Sequence, residues 1–320
     1  MTQPVLVVAG PTASGKSGLA LAIAERFGGV VINADSMQVY RELALLTARP
    51  GAEALARVPH RLYGVLAAGT ACSAGRWRDL ALGEIAEAHA AGRLPIVTGG
   101  SGLYLQALVE GMAPLPEVPR EVRAAAGALY AKLGAEGFHA ALAARDPLSA
   151  ARLRPRDRQR LMRAWEMLET TGQSLAALQR DLGQGPPAHL ALAAILLDPP
   201  RPELYAAIDR RLAAMVAAGA VAEVAALLAL DLEPQLPVMK AVGVPELAAY
   251  LKGEAALEVA VRRAQQASRR LAKRQVTWFR HHRLAPEVLV VKDAPVAQYS
   301  ESFRERIFNF IRQNLLTEVK

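Results

Sequence analysis

The sequence predicts an α/β fold: a parallel sheet flanked by helices, with an all-helical domain inserted into it. Three observations carry that prediction. Short uncharged apolar runs at residues 5–9, 30–32, 94–98, 190–197 and 288–291 alternate with stretches of helical spacing. The first run opens directly into residues 10–17, Gly-x-x-x-x-Gly-Lys-Ser, a loop whose backbone N–H groups wrap phosphate oxygens where a helix begins. From residue 111 to about residue 187 the strand runs stop, and Ala-rich, Arg-rich helical sequence replaces them until Leu190. The sheet is therefore P-loop-type and discontinuous, with residues 1–112 and 190–320 forming the core and 113–189 the insertion.

Each element follows in order. Gly10 to Ser17 supply the anion cradle: Gly10, Pro11, Thr12, Ala13, Ser14 and Gly15 curl the backbone, Lys16 offers a point charge to the terminal phosphates, and the Ser17 hydroxyl suits a Mg²⁺ shared with them. The loop reads only the anion, so the polyphosphate stays open. After the first helix, Gly28 and Gly29 break the pattern, and the second strand delivers Asp35, Ser36, Met37 and Gln38 beside the loop. Asp35 there is a metal ligand, a general base or a helix cap, while Ser36 and Gln38 suit reading a base edge.

Residues 47–51 and 58–61 read as loops, and helical spacing returns from Trp77 to Ala91. The next strand runs into residues 99–102, a second glycine-rich turn whose Ser101 either faces the cleft or caps a helix. Pro114, Pro116 and Pro119 stiffen the entry to the insertion. After the fifth strand one helix is expected over 203–230, then a basic helix from about residue 255 to 282, a short strand, and a terminal amphipathic helix.

Composition bounds the function. A chain of 320 residues with 52% hydrophobic content buries a full core, and a net charge of +8 with pI near 9.9 suggests a polyanionic partner. Cys72 is the single cysteine, which excludes an intrachain disulfide and fits a reducing compartment. Apolar runs fall short of the ~20 residues that span a bilayer, and the first residues carry no basic leader, so a cytoplasmic protein with no membrane association is expected. The histidines show no zinc-like spacing and are expected to be structural or to contact backbone.

Two basic surfaces stand out. Arg152, Arg154, Arg156, Arg158, Arg160 and Arg163 crowd around Asp157 in the insertion, with Gln159 and Trp165 among them. Residues 259–286 contain no acid, while Arg262, Arg263, Arg269, Arg270, Lys273, Arg274, Arg280 and Arg283 accumulate beside Trp278 and Phe279. Such surfaces track a phosphate backbone, and the aromatics either stack on unpaired bases or pack the helix core. A small-molecule kinase accounts for the loop but not for basic surface extending into a C-terminal helix. An ATP-driven motor lacks its hydrophobic strand ending in Asp-Glu. An enzyme that holds a pyrophosphate leaving group and uses a nucleic acid as acceptor fits both.

The motifs at residues 10–17, 33–40 (NADSMQVY), 47–50, 99–105, 157–160 and 272–280 (AKRQVTWFR) resemble, in order and over nearly the whole chain, the tRNA dimethylallyltransferase or IPP transferase family. The resemblance implies transfer of a dimethylallyl group from dimethylallyl diphosphate to the 6-amino group of adenosine at tRNA position 37, in tRNAs reading codons that begin with U. It implies Mg²⁺ as cofactor, the prenyl diphosphate in the phosphate loop, Asp35 as general base, and catalytic parts for Lys16 and Ser101. Asp35, Ser36, Met37, Gln38, Ser101, Arg123, Gln159, Arg160, Leu161, Met162, Arg163, Lys273 and Arg274 are the implied tRNA contacts, on a monomer gripping the anticodon stem-loop. Ser101 stands for a usual threonine, Val244 for a tyrosine and Ser268 for a threonine. Ala207 falls where many members carry a pyrophosphate-facing arginine, with Arg210 and Arg211 as candidate substitutes.

Overall fold

Strands that are apolar on both faces need cover on both faces, and the chain supplies it with helices. In a computed structural model that describes residues 2–112, 115–178, 185–293, 297 and 300–316, six strands form one sheet. They are β1 (Gln3–Ala9), β2 (Gly29–Asn33), β3 (His60–Arg61), β4 (Leu94–Gly99), β5 (Leu190–Leu197) and β6 (Glu287–Val291). Every pairing is parallel, in the order β3-β2-β4-β1-β5-β6. Connections leave β1 toward β2 on one side, and the chain later returns to β5 on the other. The carboxyl end of β1 is therefore the crevice where a parallel sheet binds its ligand.

The helices are α1 (Lys16–Phe27), α2 (Ala52–Arg57), α3 (Ala74–Ala90), α4 (Gly102–Glu110), α5 (Arg120–Arg145), α6 (Pro147–Ala150), α7 (Arg158–Thr171), α8 (Leu175–Leu178), α9 (Arg201–Ala217), α10 (Ala220–Leu228), α11 (Val244–Leu251), α12 (Leu257–His281) and α13 (Glu301–Ile311). The chain divides into two units, Met1–Val109 with Pro186–Lys320, and Glu110–Gly185. In the first, Leu6, Val8, Ile23, Ile96, Ile195 and Ile307 share one core. In the second, Phe138, Leu142, Leu161, Ala164 and Met167 form another, and the buried Asp146 carboxylate accepts from the Ser149 N–H and the Ser174 hydroxyl. Of the entry prolines, Pro114 lies outside the described residues.

Two expectations change. The helix read over 203–230 is two helices bent by 68°, because Gly219 sits at φ 107°, where a side chain would be strained. His60 and Arg61, read as loop, pair with β2 as a short edge strand. No single helix among the described residues is long and apolar enough to cross a membrane. Only α9 and α10 taken together reach that composition, and Leu204, Ile208, Leu212, Val224 and Leu227 on them are buried in the unit.

Gly99 ends β4 against the neighbouring strand end, and a Cβ there would overlap the backbone carbonyl of Ala34. Gly99→Ala is expected to cost about 2–3 kcal/mol, as overpacking against rigid backbone does, read as a lower urea midpoint with an unchanged slope.

Candidate active site

The loop after β1 is built for an anion. Ala13 and Gly15 take positive φ, 63° and 87°, which turns successive amides inward. Gly10 has no room for a side chain, since a Cβ would sit 2.7 Å from Ser14 Oγ and 2.9 Å from the Leu197 carbonyl. Gly15 caps α1 and, having no side chain, places no capping group of its own on the first-turn N–H groups. Lys16 Nζ donates to the Pro11 carbonyl at 3.2 Å. Its pKa is lowered to about 8, chiefly by burial and partly by Arg211, against the opposing pull of Asp35. Ser17 is exposed, and its hydroxyl makes no hydrogen bond among the described residues.

Arg211 of α9 reaches the same loop and donates to the Thr12 hydroxyl. Burial lowers its pKa while Asp35 raises it, so the guanidinium stands within electrostatic reach of that carboxylate. Arg210 is exposed. Of the two candidate substitutes for the arginine absent at Ala207, Arg211, one helical turn later, is the one that reaches the loop.

The segment after β2 is fixed from below. Asn33 is fully buried; its Oδ1 accepts the Asp35 N–H at 2.8 Å, and its Nδ2 donates to the Asp35 and Leu62 carbonyls. The Trp77 indole donates to the Asn33 carbonyl and stacks on Tyr104, with ring centroids 4.7 Å apart. Asp35 Oδ1 accepts the Met37 N–H at 2.9 Å. No helix starts here, so the helix-cap alternative gives way to a turn with one carboxylate oxygen left over. Tyr63, beside this carboxylate, has its pKa raised by burial and then by Asp35.

Ser101 precedes α4, yet its hydroxyl does not cap that helix. It accepts the Ser36 N–H at 2.9 Å and donates to the Ser36 hydroxyl at 3.2 Å, joining the second glycine turn to the Asp35 segment. Gln38 is buried, and its Nε2 donates to the Thr47 and Ala48 carbonyls at 2.8 and 3.1 Å. Only its oxygen remains for reading a base.

The basic helix α12 enters the same cleft through Gln275. Its Oε1 accepts the Thr12 N–H at 2.8 Å, and its Nε2 donates to the Gly100 carbonyl at 2.9 Å. The Trp278 indole lies against Gly102, where a Cβ would overlap it, and stacks on His282 at 4.1 Å. Phe279 is buried, so packing accounts for it, and base stacking does not. Lys273 and Arg274 are exposed. Beside them a cavity of about 390 Å³ is bounded by Arg201, Lys273, Arg280, Lys292 and the apolar Leu204 and Val276.

The second unit has its own basic face. Arg123, Gln159 and Arg160 are exposed, with Arg160 3.5 Å from Asp157. Arg163 is half-buried 4.0 Å from Glu166, and burial, then Arg123, lowers its pKa. Met162 packs on the core. Leu161 needs correction as an RNA contact: its side chain is wholly buried among Phe138, Leu142 and Met167. Trp165 is likewise engaged, against Phe138 and under the Arg145 guanidinium. Ring nitrogens of His60, His89, His139, His281 and His282 face backbone carbonyls, as expected.

A sequence model described as IPP transferase matches residues 38–282. The chain belongs to the IPP transferase family. It is 55% identical over 316 residues to a tRNA dimethylallyltransferase of Rhodospirillum rubrum, covering 99% of this chain and 96% of that protein. It is 56% identical over 280 residues to a tRNA dimethylallyltransferase of Rhodospirillum centenum, covering 88% of this chain and 89% of the relative. Among solved structures, it resembles the tRNA isopentenylpyrophosphate transferase of Bacillus halodurans with a TM-score of 0.70 and 32% identity, covering 99% and 97% of the two chains.

Lys16 must be protonated to hold an anion, and its depressed pKa puts that requirement near pH 8. Dimethylallyl diphosphate affinity is expected to be flat from pH 6.5 to 7.5 and to fall as pH rises above about 8, approaching tenfold per unit. Calorimetric titration across that range checks it, and Lys16→Ala is expected to bind weakly with no such inflection.

Proposed function

We propose that this chain transfers a dimethylallyl group from dimethylallyl diphosphate to the exocyclic 6-amino group of adenosine at tRNA position 37, in tRNAs reading codons that begin with U. One observation carries the reading of the site: the Asp35 carboxylate, held at the end of β2, lies within electrostatic reach of Lys16 and Arg211, which flank the anion loop. A proton acceptor and a leaving-group cradle share one crevice. That juxtaposition suits an amine attacking carbon beside a diphosphate.

An exocyclic adenine amine is a weak nucleophile, because its lone pair is delocalised into the ring. As its nitrogen bonds to the allylic carbon, the carbon–oxygen bond to diphosphate breaks and Asp35 takes the amine proton. Charge builds on the departing oxygens, where the loop N–H groups, Lys16 and Arg211 receive it. Ser101 holds the Ser36 backbone and so orients the segment that meets the base. The acceptor must leave the anticodon-loop stack, at a cost of a few kcal/mol, offset by phosphate contacts from Arg123, Gln159, Arg160, Arg163, Lys273 and Arg274.

Among the described residues no group of three acidic, His or Cys side chains gathers to cage a metal. The unengaged Ser17 hydroxyl fits Mg²⁺, which takes most of its ligands from substrate phosphates and water. When bound there, the ion adds to neutralisation of the leaving group. We read the enzyme as a cytoplasmic monomer.

Incubation with labelled dimethylallyl diphosphate and an anticodon stem-loop, beside an ATP hydrolysis assay, tests the class: prenyl transfer without ATP turnover is expected. Asp35→Ala is expected to abolish transfer while stem-loop binding stays within a few-fold; substantial residual turnover would remove Asp35 from its role. Stem-loop affinity is expected to fall by ~10²-fold or more between 50 and 200 mM salt, as several phosphate contacts require.

A further inference from the structure

Glu223 lies in the first turn of α10 and plays no part in the chemistry above. Its carboxylate grips backbone from another part of the chain. Oε1 accepts the N–H groups of Ala44 and Leu45 at 2.6 and 2.7 Å, and Oε2 accepts that of Leu46 at 2.9 Å. Hydrogen bonds from a carboxylate to several amides are among the strong ones, and here three converge on consecutive residues. The gripped segment closes on itself, with the Ala48 N–H bonded to the Leu45 carbonyl and the Arg49 N–H to the Ala44 carbonyl. Its next two carbonyls, Thr47 and Ala48, receive the Gln38 side-chain Nε2.

Two carbonyl acceptors dictate which end of the Gln38 amide is the NH₂. Its Oε1 accepts no hydrogen bond among the described residues. The amide therefore offers an acceptor, and an acceptor matches the 6-amino edge of adenine, whereas a 6-oxo purine presents an acceptor of its own. Residue 223 is thus linked to base choice through loop backbone and one side chain.

We propose that Glu223 is a positioning residue for the acceptor adenosine: by holding the 44–46 backbone it sets the Thr47 and Ala48 carbonyls and so fixes the Gln38 amide with its oxygen toward the base. This inference rests on the reading of residues 35–38 as the segment that meets the adenine. Glu223→Gln places an NH₂ among amide donors and loses at least one of the three bonds. Glu223→Asp keeps the carboxylate on a shorter arm.

The test is a double-mutant cycle on steady-state kinetics, with Glu223→Gln, Gln38→Ala and the double variant, each titrated with an anticodon stem-loop and with dimethylallyl diphosphate. Glu223→Gln is expected to lower kcat/KM for the stem-loop about tenfold, the scale of one charged hydrogen bond, while KM for dimethylallyl diphosphate stays at the wild-type value. Glu223→Asp recovers most of that loss, and the double variant is no worse than Gln38→Ala. Additive losses, equal rises in both KM values, or no rescue by aspartate would overturn the proposal. Wild-type kinetics for Gln38→Ala would remove the acceptor-base reading together with it. An impaired Gln38→Ala beside an unimpaired Glu223→Gln would remove only the role of Glu223. If thermal melts show that Glu223→Gln does not fold, the cycle is run with Glu223→Asp, whose smaller loss in stem-loop kcat/KM must vanish in the Gln38→Ala background.

Discussion

The side-chain amide of Gln275 is the joint on which the rest of this site depends. One group accepts from the phosphate-loop backbone at Thr12 and donates to the second glycine turn at Gly100. It does so from a helix whose other faces bind α9 through the Arg269–Asp209 ion pair and carry Lys273 and Arg274 outward. Loop, turn and basic helix are thereby held in register by two hydrogen bonds. An amide does this because it carries a donor and an acceptor a fixed distance apart; neither a carboxylate nor an ammonium can satisfy both neighbours.

Around that joint the glycines serve proximity more than flexibility. Gly10, Gly99, Gly100 and Gly102 each stand where a Cβ would strike backbone, an amide or an indole. The crevice at the end of β1 is consequently narrow, and it holds charges that perturb one another. Asp35 raises the proton affinity of Lys16 and Arg211, while burial and, at Lys16, the neighbouring cation lower it. On the proposed reading, a diphosphate in this crevice relieves the repulsion between the two cations and brings negative charge to the place where burial makes positive charge costly. The carboxylate in turn stays oriented, because Asn33 below it is locked by Leu62 and Trp77.

Much of this was legible in the chain. Apolar runs marked five of the six strands, since central parallel strands are buried on both sides and show it in composition. The strand at His60–Arg61 left no such trace, being two residues long at an edge. The break at Gly219 was hidden because apolar spacing continues through Ala220, Val224 and Leu227 on the far side of it. Asp35, Lys16 and Ser17 stood out as candidates because their placement just after a strand is readable from the sequence. Whether Ser101 capped a helix or faced the cleft could not be read, for both use the same hydroxyl, and its bonds to Ser36 depend on a segment distant in sequence. Arg211 and Arg210 are adjacent and alike in sequence, and only the helix phase separates them. Glu223 was invisible for a different reason: its partners are backbone amides, which every residue has. Leu161 shows the converse, a core position lying inside a run of surface arginines.

The strand order carries a consequence for how the protein is made. β1 is central, but one of its two edges pairs with β5, which begins only at Leu190, and Thr12 waits for a partner 263 residues further on. At translation rates of roughly 5–20 residues per second, that edge of β1 stays uncovered for on the order of ten seconds or more after it leaves the ribosome. During this interval the helical unit at Glu110–Gly185, with a core of its own, is synthesised in full. An open strand edge presents unpaired backbone N–H and C=O groups that template aggregation, and Val5 to Ala9 add apolar surface to it. Between the completion of β4 and the arrival of β5 the nascent chain therefore carries one uncovered β1 edge, and Gln275 reaches the loop only when α12 has emerged.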